Sequence, residues 1–221
     1  MAKPSFSSIL PLLFFFILSF VPAMHASFSK PISTEELGLN DPKQTHLTFY
    51  FHDTLSGPNP TAVQIVKASS SATSFGVLTM IDDPLTEGPD PTSRLMGRAQ
   101  GMYGLTDQTQ SALTMVMNFA FLDGDFKGST VSILGRNPVL QGVREMPVVG
   151  GTGALRFAKG YAQARTYKSD PTTGDAVVKY DVYVSHAGSP NTSGNHAPVC
   201  TRVPLPAMVV SFLLISLLYL A

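Results

Sequence analysis

The sequence contains a single cysteine, Cys200. An intramolecular disulfide needs two thiols, so a folded domain in this chain must depend on its hydrophobic core rather than on a covalent cross-link. Basic and acidic side chains are equally frequent, with 15 of each, and the formal net charge is zero. This balance excludes the strongly basic composition typical of nucleic-acid-binding proteins, and we predict no nucleic-acid partner.

Patterns for metal binding and covalent catalysis are also absent. The histidines between the two apolar ends, His46, His52, His186 and His196, do not have the i, i+4 spacing of metal ligands, and no metal site is predicted. The segment Gly150-Gly151-Thr152-Gly153 lacks the lysine and helix of a phosphate-binding loop, and we interpret it as a tight turn or bulge. No serine lies in a nucleophile elbow, so we expect neither a covalent intermediate nor a cofactor.

The N-terminal apolar run is shorter than the roughly 20 residues that a membrane-spanning helix needs. Lys3 precedes this run, which extends from Ile9 to Val21 and is followed by the small residues Ala23 and Ala26. This layout is typical of a secretory signal peptide, and we predict that residues 1–26 form one. An uncleaved anchor helix is the alternative. The sequence therefore predicts a secreted protein.

The C-terminal end has a different layout. A polar tail rich in Gly, Ser and Pro, residues 188–206, is followed by an apolar run, residues 207–221. Small residues at 193–195, a spacer and this run together match a glycolipid-anchor signal, which would attach the protein to the outer face of the plasma membrane. A hydrophobic tail that is not processed is the alternative. Asn191 begins an Asn-Thr-Ser sequon and is a predicted glycosylation site.

Between these ends, apolar and polar residues alternate with the period of β-strands. In the first strand, Leu47, Phe49 and Phe51 share one face. Eight strands are predicted, near residues 46–53, 75–81, 95–105, 112–122, 130–134, 139–149, 154–167 and 175–186. The connections are short and turn-forming, which favours antiparallel neighbours.

An eight-stranded antiparallel sheet avoids exposed edges most simply by closing on itself. We therefore predict an all-β fold, an eight-stranded antiparallel β-barrel with a central pocket, and keep a two-sheet sandwich as the alternative. Residues 45–187 are predicted to form the barrel domain, and residues 27–44 a flexible leader. The segment from Met80 to Pro89, which contains Asp82, Asp83 and Glu87, is predicted to be an acidic loop.

Two ionisable residues occupy strand positions where burial is costly. Asp53 ends an alternating aromatic strand, so its carboxylate must be paired or hydrogen-bonded if it is buried. Arg144 lies in an apolar segment and needs a carboxylate or a ligand oxygen. The alternatives are a turn cap for Asp53 and a structural ion pair for Arg144.

Four blocks of sequence resemble the plant dirigent proteins. They are His52-Asp53-Thr54, Asp82-Asp83-Pro84-Leu85-Thr86, the run from Gly97 to Tyr103 and the run from Arg144 to Gly153. The resemblance extends from about Thr45 to His186. It implies an eight-stranded barrel in the plant apoplast with one pocket per barrel, assembled as a homotrimer, with a dimer as the alternative.

The resemblance also implies an activity. Dirigent proteins steer the coupling of two phenoxy radicals of a monolignol such as coniferyl alcohol, while an external laccase or peroxidase performs the oxidation. Our main prediction is therefore a non-oxidising protein that imparts stereoselectivity on this coupling in lignan biosynthesis. One alternative is a lyase of the dehydratase type that forms a heterocycle from an isoflavanol through a quinone methide. Another is a cell-wall scaffold for lignin deposition.

Carried onto this sequence, the resemblance implies catalytic roles for Asp53 and Arg144 and contacts with a phenolic substrate from Tyr103, Asn137 and Thr166. The lignan-forming branch of the family has an aspartate where this chain has Asn137. An asparagine cannot accept a proton as a carboxylate can, although it can still orient a phenol oxygen. The Gly135-Arg136-Asn137 sequence resembles more closely the branch that contains pterocarpan-forming dehydratases and many members of undefined activity.

Overall fold

A computed structural model describes residues 28–67 and 73–188. A compact unit begins at Thr34 and consists of β-strands and one short 3₁₀ turn. The strands are β1 (Lys43–Asp53), β2 (Ala62–Val66), β3 (Leu78–Thr86), β4 (Leu95–Leu105), β5 (Ala112–Phe121), β6 (Thr130–Pro138), β7 (Arg144–Thr152), β8 (Lys159–Ser169) and β9 (Ala176–His186), and the 3₁₀ turn (Gly153–Leu155) lies between β7 and β8.

The sheet closes through its first strand. All neighbouring strands are antiparallel, in the order β1-β9-β8-β7-β6-β5-β4-β3-β2, and β1 also pairs with β3. The β1–β3 pairing joins Tyr50 to Thr86 and Phe51 to Leu85, which closes a barrel of eight strands. The predicted all-β barrel is confirmed, and the sandwich alternative is wrong because two separate sheets would not share this pairing.

The strand β2 was not predicted from the sequence. It has five residues, pairs only with β3, and exposes most of its side chains; Ala62 is the buried exception. A short strand with one buried residue produces little alternation for a sequence pattern to detect. It lies beside the barrel as a ninth strand.

The prediction of an acidic loop from Met80 to Pro89 is wrong for most of its length. Residues up to Thr86 belong to β3 and pair with β4, with Asp83 opposite Ala99 and Pro84 opposite Arg98. Acidic residues and proline disfavour strands, but these are weak local preferences that pairing with a neighbouring strand overrides. As a result, consecutive acids in this segment point to opposite faces of the sheet.

The boundary between β6 and β7 also differs from the prediction. The strand β6 continues to Pro138, and β7 begins only at Arg144, so the residues between them form a turn rather than the start of a strand. In the glycine-rich segment that we interpreted as a turn or bulge, Gly150 to Thr152 pair with β6 directly after a bulge, and Gly153 begins the 3₁₀ turn. Ser132 pairs with Gly150 and Ile133 with Val148, which leaves one extra residue in β7.

Aromatic side chains fill the middle of the barrel. Phe49, Phe119 and Tyr180 are buried, and their ring centroids lie 4.9 Å apart for Phe49–Phe119 and 5.2 Å apart for Phe119–Tyr180. On β5 the Met/Phe face predicted from alternation points into this core. The packed rings fill the barrel interior next to the end where the polar residues lie.

Several predictions fall at the ends of the chain. The signal peptide (residues 1–26), the glycosylation site Asn191 and the apolar tail (residues 207–221) lie outside the described residues and stay predictions. Within the described ranges, no helix is long and apolar enough to cross a membrane. The barrel begins slightly earlier than predicted, because Lys43 is already part of β1.

The close approach of β4 and β5 provides a test of the fold. Gly101 has a φ of +153°, and an added Cβ would lie 2.2 Å from the carbonyl oxygen of Val116. We expect Gly101→Ala to lower the free energy of unfolding by more than about 2 kcal/mol, measured by denaturant titration. Gly142→Ala is the control, because no atom lies within 4 Å of its added Cβ. Equal effects of the two substitutions would contradict the pairing described here.

Candidate functional site

The five residues predicted for the site come from five different strands and lie at one end of the barrel. Asp53, Tyr103, Asn137 and Thr166 lie near the C-terminal ends of β1, β4, β6 and β8, and Arg144 is the first residue of β7. Because neighbouring strands are antiparallel, these strand ends meet at the same rim. The structure therefore brings all five residues into one region.

Asp53 and Asp83 form one wall of the site, the acidic wall, and Tyr103 binds the first of these acids. The Tyr103 hydroxyl donates a hydrogen bond of 3.0 Å to Oδ2 of Asp53, and Oδ1 of Asp53 accepts none from the described residues. Burial raises the pKa of Asp53 to about 6; the hydrogen bond from Tyr103 opposes this shift and the charge of Asp175 adds to it. Asp53 is thus a barrel-facing carboxyl with one unoccupied oxygen, not a turn cap.

Asp83 is a site residue that the sequence analysis did not single out. Its exposed fraction is 0%, Oδ1 accepts a hydrogen bond from the Thr61 hydroxyl, and Oδ2 accepts none within the described part of the chain. Burial raises the pKa of Asp83 to about 8, and the charge of Asp53 adds to the shift. The available signal was the pair Asp82-Asp83: in a strand, only one of two adjacent acids can face the core.

Arg144 forms the opposite, cationic wall. Its Nε donates to Oδ1 of Asn137 at 3.1 Å, and its Nη1 donates to the Thr166 hydroxyl at 3.0 Å and to the carbonyl of Gln141 at 3.4 Å. The side chain is buried and all three acceptors are uncharged. Burial lowers the pKa of the guanidinium, but an arginine keeps its proton in proteins. Arg144 therefore keeps a positive charge that its hydrogen-bond partners do not neutralise.

Tyr180 connects the two walls electrostatically. It is buried on β9, and burial raises the pKa of its phenol. The positive charge of Arg144 lowers this pKa, whereas negative charges on Asp53 and Asp83 raise it. Charges on both walls thus act on the same buried phenol.

A surface cleft lies at the opposite end of the barrel. It has a volume of about 650 Å³, and the residues that line it include Val149, Phe157, Lys159 and His186. None of the site residues lines it. In the described ranges no cluster of three or more His, Cys, Asp or Glu could hold a metal ion.

The raised pKa of Asp83 should make the free energy of unfolding depend on pH. A carboxyl with a raised pKa in the folded state holds a proton that the unfolded chain releases, so the contribution of Asp83 to the free energy of unfolding falls as pH rises from about 4 to about 8. We expect Asp83→Asn to remove much of this fall. Relative to the unmodified protein, the variant should gain stability on the order of several kcal/mol between these pH values, measured by denaturant titration.

Asp82→Asn is the matched control, because Asp82 faces outwards and pairs with Arg98. That ion pair lowers the pKa of Asp82, so its stabilising contribution is present at neutral pH and lost in acid. The control should therefore be slightly less stable at neutral pH and show no relative gain as pH rises. Parallel pH curves for Asp83→Asn and the unmodified protein would contradict the burial of an ionisable carboxyl.

Comparison with known proteins agrees with this architecture. The family model "Dirigent-like protein" matches residues 44–185. Dirigent protein 21 of Arabidopsis thaliana is 49% identical over 181 residues, which cover 80% of this chain and 96% of that protein. Pterocarpan synthase 1 of Glycine max is 47% identical over 190 residues, which cover 84% of this chain and 100% of that protein.

The fold is also similar to that of a solved pterocarpan synthase dirigent protein, with a TM-score of 0.63 and 51% sequence identity. That similarity covers 65% of this chain and 96% of the solved chain. Because the family model matches more than half of the chain and the relatives are similar over nearly their full length, this chain belongs to the dirigent-like protein family.

Proposed function

We propose that this protein is a dehydratase-type dirigent protein that converts an isoflavanol into a pterocarpan through a quinone methide. The observation that carries the proposal is the buried, uncompensated charge of Arg144 opposite two barrel-facing carboxyls. Relatives named as pterocarpan synthases add support, since they are similar over most of this chain. The reaction removes water without any change in oxidation state, so it needs no oxidant.

Arg144 would bind the substrate phenol whose oxygen becomes the carbonyl oxygen of the quinone methide. A phenolate held at the guanidinium replaces the missing counterion, and hydrogen bonds to charged groups contribute about 1.5–3 kcal/mol each. Asn137 and Thr166 hold the guanidinium in place through its Nε and Nη1. The phenol proton passes to solvent as the phenolate forms, and electron density from its oxygen expels the benzylic hydroxyl.

Asp53 would act in the ring-closing step. A second phenol of the substrate attacks the quinone methide carbon, and its proton must leave as the new C–O bond forms. Asp53 is ionised above pH about 6, and its unoccupied Oδ1 is suited to accept that proton. Tyr103 orients the carboxyl through Oδ2.

The coupling of monolignol radicals, our main prediction from sequence, has no specific support from the comparisons, which support the family and fit the dehydratase alternative better. Secretion to the apoplast and a trimeric assembly stay proposals that follow from the sequence. A laccase or peroxidase would be a partner only for radical coupling, because elimination of water needs no oxidant.

The proposed function is tested by incubating the protein with an isoflavanol that carries a free phenol on each ring system, with no oxidant present. We expect pterocarpan to form and Asp53→Asn to slow its formation about 100-fold or more, measured by chiral chromatography. A parallel reaction contains coniferyl alcohol and a weak one-electron oxidant. No pterocarpan, together with an excess of one lignan enantiomer, would overturn the dehydratase function in favour of radical coupling.

A second prediction concerns the charge of Arg144. Asn137→Asp would place a carboxylate about where the amide oxygen lies, 3.1 Å from Nε. The new ion pair should cancel much of the charge offered to a phenolate, so we expect kcat/KM for the oxidant-free reaction to fall about 10- to 100-fold. The free energy of unfolding should stay the same or rise, because the buried cation gains a partner.

Asn118→Asp is the control for this substitution. Asn118 is exposed on the outer face of β5 and accepts a hydrogen bond from Ser132. The same chemical change there should leave kcat/KM unchanged. If Asn137→Asp were fully active with unchanged stability, Arg144 would not provide the charge that the proposal requires.

A further inference from the structure

The register of β1 and β3 aligns Asp53 with Asp83. The last paired residues of these strands are Phe51 and Leu85. Asp53 follows Phe51 by two positions and Asp83 precedes Leu85 by two positions, so in antiparallel strands the two acids face each other on the same inward side. The strands separate here because the connection between β1 and β2 enters, and Thr61 from this connection binds Asp83. The barrel thus places two carboxyls on facing strands at its closing seam.

Each of these carboxyls has one oxygen bound and one left open. Tyr103 occupies Oδ2 of Asp53, and Thr61 occupies Oδ1 of Asp83. Oδ1 of Asp53 and Oδ2 of Asp83 accept no hydrogen bond from residues 28–67 or 73–188. Two buried carboxylates that feel each other's charge cannot easily both ionise, so the pair holds one proton over a range of pH.

Within the part of the chain that the structure describes, no lysine, arginine or histidine forms an ion pair with Asp53 or Asp83. On β3 and β4, Asp82 and Arg98 lie on the outer face and bind each other, and their charges act on Asp83 only weakly and in opposite directions. The inner neighbours Tyr103 and Tyr180 are phenols that stay protonated, because burial raises their pKa values. No salt bridge therefore compensates a second negative charge on the pair, and one of the two carboxyls keeps its proton.

We propose that Asp83 is the general acid that protonates the leaving hydroxyl, using a proton that it shares with Asp53; this inference rests on the proposed function. The benzylic C–O bond breaks, the hydroxyl takes the proton from Oδ2 of Asp83, and water departs. Both carboxyls are then ionised, and the substrate is a quinone methide held at Arg144 through its oxygen.

Ring closure returns a proton to the pair, now from the second phenol. The second phenol forms the new C–O bond, its proton passes to Asp53, and the quinone methide oxygen becomes a phenolate that regains a proton from solvent. Transfer of the proton from Asp53 to Asp83 restores the starting pair. The net change is the loss of one water, with no oxidant or reductant. The carboxyl pair therefore donates one proton in the acid step and accepts another in the base step.

The first test measures the oxidant-free reaction against pH. The unmodified protein should show a bell-shaped profile with limbs near about 6 and about 8, because Asp53 must be ionised and Asp83 protonated. Asp83→Asn should reduce kcat about 100- to 10,000-fold, whereas the control Asp82→Asn should not. Full activity of Asp83→Asn with an unchanged basic limb would overturn the proposal.

A substrate with a better leaving group separates the acid step from a structural effect. If the benzylic hydroxyl is replaced by an acetate ester, departure needs no strong acid. Asp83→Asn should then recover most of the activity of the unmodified protein, while Asp53→Asn should stay slow. Equal impairment of Asp83→Asn on both substrates would assign Asp83 a structural role only and overturn the proposal.

Thr61→Val provides a variant that keeps both carboxyls. The Thr61 hydrogen bond lowers the pKa of Asp83, so its removal should move the basic limb of the profile to higher pH. An unmoved limb would contradict the assignment of that limb to Asp83. The expected result is a shift of the pH–rate profile and not a loss of activity. A folding defect would lower the activity without moving the profile.

The shared proton can also be detected without substrate, by infrared spectroscopy of the carboxylic acid C=O band. This band should persist at neutral pH in the unmodified protein and in Asp82→Asn and disappear in Asp83→Asn. Its absence from the unmodified protein would overturn the shared proton. An unmodified protein that has the band but forms no pterocarpan would refute the proposed function, and with it the acid role, while the shared proton would stand.

Discussion

The pairing of β1 with β3 is the constraint on which the rest of this structure depends. It closes eight strands on themselves and, among the described strands, leaves only the short β2 as an edge strand, and it gives the aromatic side chains of β1, β5 and β9 a common interior. The pairing is short, because the connection leading to β2 separates the two strands after Phe51 and Leu85. The carboxyls of Asp53 and Asp83 lie where the seam opens.

Opposite charges lie on different walls of the barrel and do not cancel. Arg144 is held by an amide, a hydroxyl and a backbone carbonyl, whereas the acids are held by hydroxyls. A direct ion pair between the walls would satisfy both sides. Uncompensated buried charge lowers the stability of the fold. Under the proposed function, this charge binds a phenol and stabilises a developing phenolate.

Five of the strand ends that form the site were identified from the sequence, and the acid on β3, Asp83, was missed. Asp53 and Arg144 stood out because their charges are costly to bury, and the family resemblance added Tyr103, Asn137 and Thr166. Asp83 was not singled out, because Asp82-Asp83-Pro84 has the composition of a loop. The decisive information was the partner of the segment: pairing with β4 keeps it extended, and extension sends Asp83 inwards and Asp82 to Arg98.

Alternation along the chain determined the all-β class, the antiparallel connections and the inward faces of strands such as β5, because a period of two is a local property. Closure, the extra strand β2 and the alignment of Asp53 with Asp83 were decided only by the tertiary structure. Closure and the alignment depend on contacts between residues more than 30 positions apart in sequence, such as Phe51 and Leu85. Strand β2 depends on its pairing with β3, as between Ala62 and Ile81. The perturbed acidity of Asp83 has the same origin, because burial and the charge of Asp53 arise only after the barrel closes.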